Sequence, residues 1–439
     1  MTQTKIHIIH AGTMDNKGTQ ALLLSDIALI REIYNYEVQI SVSTSDVEGV
    51  KKLAPNLTEV TEPIIDIPYQ KADKFAKMVN IDRDTISYKI YALASFFFMF
   101  LQAFASFISA IFIKYNIKGI YRHKSIKRIH DSDLIISCSG ENFKEGSSML
   151  PFNITWKLSW WSMLFSRTWE ILLAKYLGKK VLLFPNSIGP FKTIIGKTLG
   201  KLALNNCSIV LVRDPISFDI VKTLKLNSNE ILTADTALLF NARNITTFNH
   251  NGKPTLGVNP GIYGQSLSKK EVSKYISAHV KALDYGIEKY GFSVILLPHF
   301  ISGFKQDDME LCNQIANEMR NPEKVNIYHA KDVDDFKSLI DSLNMLISSK
   351  MHPAIFAASG FIPVLSIAYD HKQTGFFERL DMSQCVFKIR EISDELLIEK
   401  IDYVWTNRKK LSQSLKKQIP ILQNDIKNNI HNALTSYIK

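Results

Sequence analysis

Lys350-Met351-His352 stands between a short apolar run, Met345-Leu346-Ile347-Ser348, and an apolar stretch opened by Pro353. A cation and an imidazole followed by a proline mark the handover from a buried strand to a helix. In an open parallel sheet that corner holds the ligand, and the helix N–H groups favour an anion there. The chemistry within reach is recognition of an anionic substrate, with proton transfer by an imidazole near neutral pH. Other groups occupy comparable corners. Arg213 closes the run Ile209-Val210-Leu211-Val212, and Asp214-Pro215 follows it. A ligand cation and a structural Arg213–Asp214 pair with helix capping both fit that position. His299 ends the strand-like run from Ser293, with Asp307-Asp308 beyond. Asp15, Asn16 and Gly18 lie in the polar loop after the first apolar run, a place where backbone amides meet ligand oxygens; the loop is neither GxGxxG nor a Walker loop.

The elements that must position these groups alternate between strand and helix. Strands are expected at residues 5–10, 37–43, 64–67, 133–140, 180–184 and 209–212, with helices from Ala21 and from about Pro215. A polar stretch, residues 241–253, reads as a linker. A second alternating set follows: strands at 255–260, 293–299, 325–329, 345–348 and 363–369, and a helix over 269–290. After about residue 392 the chain reads as basic and helical. The expected class is α/β, with two doubly wound Rossmann-like domains. Their expected bounds are 1–242 and 253–391, with a C-terminal helical segment at 392–439.

Composition is that of a globular protein: 439 residues, 46% hydrophobic and 22% charged, with a net charge of +11. No nucleic-acid signature accompanies the positive charge, so anionic lipid or substrate is the expected counterpart. Cys138, Cys207, Cys312 and Cys385 are dispersed without metal-ligand spacing, which points to a reducing compartment and away from a zinc site. The sequence passes straight into a strand-like run, so no signal peptide is expected. One stretch departs from the pattern. Residues 90–113 carry no charge and could span a bilayer by length. One crossing would leave the first strands and the Lys350 unit on opposite sides of the membrane. The expectation is an apolar helical insertion at about 88–128, either a buried or re-entrant hairpin or a helix lying in the membrane interface. Lys114, Lys118, Arg122, Lys124, Lys127 and Arg128 follow it, a cluster suited to an anionic leaflet. Trp156, Trp160, Trp161 and Trp169 crowd a nearby segment, fitting core packing, an interface belt or a sugar-stacking wall.

Several of these runs together resemble the polysaccharide pyruvyl transferase family. The matching motifs are Asn16-x-Gly18, Ser187-Ile188-Gly189-Pro190-Phe191, Arg213-Asp214, Asp235, Pro298-His299, Ser349-Lys350-Met351-His352 and Tyr369-Asp370-His371-Lys372, in the family's order. Three departures stand out: Lys350 where the family has Arg, Thr19 where it has Asp, and Gly140-Glu141-Asn142 in place of a glycine run. The resemblance implies a GT-B-like arrangement and transfer of pyruvate from phosphoenolpyruvate, as a ketal, to a sugar of a surface polysaccharide or its lipid-linked precursor. Phosphoenolpyruvate is then a co-substrate, and no cofactor or metal is implied. Arg213, Lys350, Met351 and His352 would hold the donor, His352 with His299 as the weaker candidate would move the proton, and Asp15, Asn16 and Gly18 would meet the acceptor. The expected site of action is the cytoplasm, peripheral to the inner face of the plasma membrane. Two other readings fit: a GT-B glycosyltransferase using a sugar nucleotide, and a non-catalytic glycan-binding or assembly protein on a degenerate transferase scaffold.

Overall fold

Short apolar β-branched runs separated by amphipathic helices form parallel sheets, because each crossover helix covers a face of the sheet it leaves. The computed structural model of the chain contains two such sheets. It describes residues 3–79, 81, 85–117, 123–145, 154–262, 267–299 and 307–437. Two units emerge, one of residues 1–14, 22–235 and 425–439, the other of residues 15–21 and 236–424.

The first sheet contains β1 (Thr4–Ala11), β2 (Val38–Thr44), β3 (Glu59–Thr61), β4 (Leu134–Ser137), β5 (Gly140–Phe143), β6 (Val181–Ile188), β7 (Ile209–Val212) and β8 (Asn229–Leu232). Its order is β3-β2-β1-β4-β6-β7-β8, with β5 beside β6, and its pairings are parallel. The intervening helices are α1 (Lys17–Ile33), α2 (Val47–Leu53), α3 (Pro68–Val79), α4 (Ile86–Lys114), α5 (Lys124–Asp131), α6 (Ile154–Tyr176), α7 (Ile194–Asn205) and α8 (Pro215–Leu224). The second sheet has β9 (Thr255–Asn259), β10 (Ser293–Leu296), β11 (Val325–Ile327), β12 (Met345–Ser348), β13 (Val364–Ala368) and β14 (Val386–Lys388). They are ordered β11-β10-β9-β12-β13-β14, the 3-2-1-4-5-6 order of a Rossmann sheet. Its helices are α9 (Lys269–Tyr290), α10 (Asp308–Glu318), α11 (Val333–Asp341), α12 (Met351–Ser359), α13 (His371–Arg379), α14 (Asp394–Thr406) and α15 (Arg408–Thr435). In both sheets the strand order reverses beside the first strand, between β1 and β4 and between β9 and β12.

The expected strand at 64–67 is absent: Ile64 and Ile65 are buried loop residues, and the third strand is Glu59–Thr61. The stretch expected as a linker packs on α11 instead. There the Arg243 guanidinium donates to Asp334 at 3.0 Å and His250 meets the Ser342 hydroxyl at 2.8 Å. The change of unit falls at Asp235/Thr236, before that stretch. The basic C-terminal segment is α14 and α15, and α15 supplies residues to both units. Residues 90–113 form no hairpin but most of one unbroken 29-residue helix, α4, one face of which is buried. Of the basic residues expected after it, Lys127 pairs with Asp131 and Arg128 with Glu59. Lys118, Arg122 and the side chain of Trp156 lie outside the described residues.

Candidate functional site

Lys350 is the N-cap of α12, which begins at Met351, two residues before the proline that the sequence suggested as its start. The Ser348 hydroxyl shapes the turn, accepting from the Lys350 N–H at 3.1 Å and donating to the Lys350 carbonyl at 2.7 Å. Gln373, fully enclosed, reaches the Ser366 hydroxyl at 3.1 Å and accepts from the Tyr369 N–H at 3.1 Å, tying β13 to the loop after it. Buried Tyr275 donates to or accepts from Ser349 at 2.6 Å and accepts from the Gly261 N–H at 3.1 Å. At Gly261 the Lys350 stem comes close to the backbone: a Cβ there would stand 2.5 Å from Cε of Lys350, so the lysine would have to shift. The lysine stem therefore lies across the backbone that leaves β9, at the second sheet's reversal point.

Asp308 fixes the charges of this corner. Its carboxylate is fully buried, 2.8 Å from the Lys350 amine, and accepts from the His299 N–H at 3.1 Å. The His299 ring is 2% exposed, and neither of its nitrogens has a hydrogen-bond partner among the described residues. It lies parallel to the His352 ring, centroids 6.4 Å apart, and beside Phe336. Burial, aided by the charges of Lys350, Lys17 and His352, holds the His299 pKa well below 6.5, so this imidazole is neutral at pH 7.

The loop after β1 contributes directly to this corner. Residues 15–21 belong to the second unit, with Lys350 and His352. Asn16 is occupied as a cap, its side-chain oxygen accepting from Gly18 N at 2.8 Å and Thr19 N at 3.3 Å. Asp15 is exposed. Gly18 lies against His352 so closely that a Cβ would overlap the imidazole. That close approach explains the Asn-x-Gly spacing: the asparagine starts the helix and the glycine leaves room for the ring.

Lys17 joins this group, and the motif reading passed it by. Its side chain is buried, with the amine 5.4 Å from the centre of the Phe336 ring. Burial lowers its pKa, an effect opposed by Asp308, Asp332 and Asp335. The sequence did hold a signal: a lysine as the first residue of α1 opposes the helix dipole, which favours acids at that end. Asp308 and Gly261 carried no comparable mark, because only the fold brings them to Lys350.

Of the two readings the sequence left open for Arg213, a ligand cation or a pair with Asp214 that also caps the helix, the capping by Asp214 is present but the pair is not. The Arg213 guanidinium binds Asp235 at 2.7 Å and the Ser187 hydroxyl at 2.8 Å, with both charged side chains 1% exposed. Asp214 caps α8 by accepting from the Ser217 N–H and also accepts a hydrogen bond from the Ser187 hydroxyl. Ser187, Arg213, Asp214 and Asp235, read from the sequence as separate motifs, form one closed network inside the first unit. At that unit's own reversal point, His10 holds a left-handed backbone (φ 64°) and meets Ser137 at 2.8 Å and Glu170 at 3.4 Å. Burial drives His10 well below 6.5 and raises Glu170 to about 7, so the pair sits close to neutral.

Two parallel-sheet α/β units of this topology are the GT-B class, and likeness to solved structures agrees. A putative UDP-N-acetylglucosamine 2-epimerase from Listeria monocytogenes matches with TM-score 0.61 at 11% identity, over 99% of this chain and 97% of that one. UDP-GlcNAc 2-epimerase from Neisseria meningitidis, bound to UDP-GlcNAc, matches with TM-score 0.58 at 11% identity, over 98% and 100%. The glycotransferase of kitacinnamycin matches with TM-score 0.56 at 9% identity, over the whole of both chains. At such identities these likenesses show the fold alone. The family model for polysaccharide pyruvyl transferase matches residues 16–371, from Asn16 to the residue after Asp370, and the chain belongs to that family. The protein is a transferase.

Proposed function

We propose that the protein transfers pyruvate from phosphoenolpyruvate, as a ketal, to a sugar of a surface polysaccharide or its lipid-linked precursor. The observation that carries this reading is the corner of the second unit, where Lys17, Lys350, His299 and His352 gather at the starts of α1 and α12. A three-carbon donor with a carboxylate and a phosphate calls for two cations and helix N–H groups. Met351, buried beside them, supplies an apolar wall. Arg213 is left out of the donor contacts, because Asp235 and Ser187 already hold its buried guanidinium.

The reaction adds a proton to the methylene carbon, which builds positive charge on C2. A sugar hydroxyl attacks C2 and passes its proton back to the imidazole that protonated the methylene; a second hydroxyl then displaces phosphate, which leaves with that hydroxyl's proton, and closes the ketal. One diol and one phosphoenolpyruvate give one ketal and one inorganic phosphate. His352 is the proton donor in this scheme. Neutral His299 hydrogen-bonds the donor anion, and Asp15 and Asn16 face the acceptor hydroxyls. Lys350 in place of arginine supplies a point charge, oriented by Asp308 rather than by a bidentate fork.

UDP-sugar chemistry is the second reading, favoured by the bound UDP-GlcNAc of the Neisseria structure. Phosphate release and product mass, measured with phosphoenolpyruvate or UDP-sugars and a set of lipid-linked sugars, separate the two. Phosphoenolpyruvate-dependent phosphate release, with a product heavier by the pyruvyl ketal, is the expected outcome. Thermal stabilisation and turnover with UDP-sugars alone would overturn it.

A further inference from the structure

The α4 helix presents an apolar face to solvent along most of its length. Ile86, Ile90, Leu93, Phe97, Leu101 and Phe104 recur at helical spacing and are 46–75% exposed. Phe98 and Phe100 flank that row at 51% and 47%. An exposed apolar stripe of this size on a folded protein marks a docking surface. The opposite face is built into the first unit. Met99, Ala103, Ser106, Ala110 and Ile113 are buried, and small side chains let α6 approach closely. Polar ties hold the helix down: Gln102 donates to Asp66 at 2.7 Å, Trp169 donates to Ser106 at 2.9 Å, and the His123 N–H donates to Ser109 at 3.1 Å.

The helix is long and apolar enough to cross a bilayer, yet a third of its apolar window is buried in the protein. Crossing would strip it from α6 and expose those hydrogen-bonded groups to hydrocarbon. We infer that α4 lies in the plane of an anionic lipid surface, with its outer row of side chains immersed among the acyl chains. Charge selects lipid over a protein partner. The helix carries Lys89 and Lys114, both exposed, and no acid. Two amines lie over aromatic rings beside the apolar row: Lys71, 5.4 Å from the Phe98 ring and paired with Asp66 at 2.6 Å, and Lys114, 4.2 Å from the Tyr176 ring and donating to the Tyr176 carbonyl at 2.8 Å. Lysines that lay their stems on apolar surface and lift the amine to its edge suit an interface with anionic headgroups. The chain as a whole carries +11.

The inference does not depend on which donor the enzyme uses. Its test is co-sedimentation of the full chain with phosphatidylcholine vesicles containing or lacking phosphatidylglycerol. Sedimentation with the anionic vesicles is expected, several-fold weaker with the neutral ones. Leu101→Glu with Phe104→Glu places two carboxylates in the apolar row and is expected to weaken binding by at least about tenfold. Thermal unfolding of the variant should stay within a few degrees of the parent. If it does not, the milder Phe97→Ser serves, with a smaller loss of binding expected. An intact chain that stays in the supernatant overturns the inference. So do variants that bind like the parent, and a parental dimer that Leu101→Glu dissociates without any vesicle binding.

Discussion

The two sheets reverse their strand order in the same way, and the chain treats the two reversal points differently. Beside β1 and β4, polar groups answer one another: His10 with Ser137 and Glu170, and along the same sheet Arg213 with Asp235 and Ser187. Beside β9 and β12, two lysines and two imidazoles share a corner, and His299 keeps both ring nitrogens without a described partner. Nε2 of His10 likewise has no hydrogen-bond partner among the described residues, so the two regions differ in the charges that surround the ring and not in the ring being unsatisfied. A cation at a strand end is therefore not a ligand group by position alone. Lys350 also faces a carboxylate, Asp308; what sets its corner apart is the second lysine and the two imidazole rings gathered there.

The largest expected effect is on the second corner. Lys350→Met should lower kcat/KM for phosphoenolpyruvate by about a hundredfold or more, as loss of a charge aimed at a developing anion does. It leaves Asp308 without its cation, so a melting curve must accompany the assay. His352→Gln, assayed alongside, should lower kcat more than it raises KM; near-parental turnover would remove the imidazole from the proton step. Gly18→Ala comes next. Its methyl group overlaps the His352 ring, so a loss of about tenfold to a hundredfold in kcat/KM is expected. Unchanged activity would mean that the ring has no fixed place.

Arg213→Met set against Lys17→Met tests the contrast itself. Removing Arg213 strands buried Asp235 and should destabilise the protein by about 3–5 kcal/mol in chemical denaturation. Removing Lys17 relieves a desolvated amine, so stability should hold or rise while KM for phosphoenolpyruvate increases. The reverse pattern would exchange the roles assigned to the two corners.

The remaining expected effect is acid sensitivity. Buried His7 and His279 have pKa values of about 3 and about 4 in the folded chain, and His10 and His299 also lie well below 6.5. The unfolded chain takes up these protons first, so stability present above pH 6.5 is lost as pH falls toward 3, by up to about 1.4 kcal/mol per unit per group. Glu170, raised to about 7, acts oppositely: it holds its proton in the folded state and weakens the fold as pH rises from about 4.5 to 7. His7→Gln should flatten the acid limb of stability measured against pH. An unchanged slope would show that His7 titrates freely when folded.

Period and punctuation in the sequence were enough for the α/β class, the helix over 269–290, the Lys350 corner and the length of the apolar helix. They depend on neighbours along the chain, where strand runs, helix caps and breakers act. The strand proposed at 64–67 failed because a buried apolar run reads alike in a strand and in a loop. The same local reading placed a linker at 241–253, since it had no view of α11, against which Arg243 and His250 pack. Only tertiary structure could give Arg213 to Asp235, pass the loop after β1 to the second unit, and set Gly18 against His352. Those partners lie 22 to more than 300 residues apart, and charge, burial and close contact over such spans follow from how strands stack, which no local pattern records.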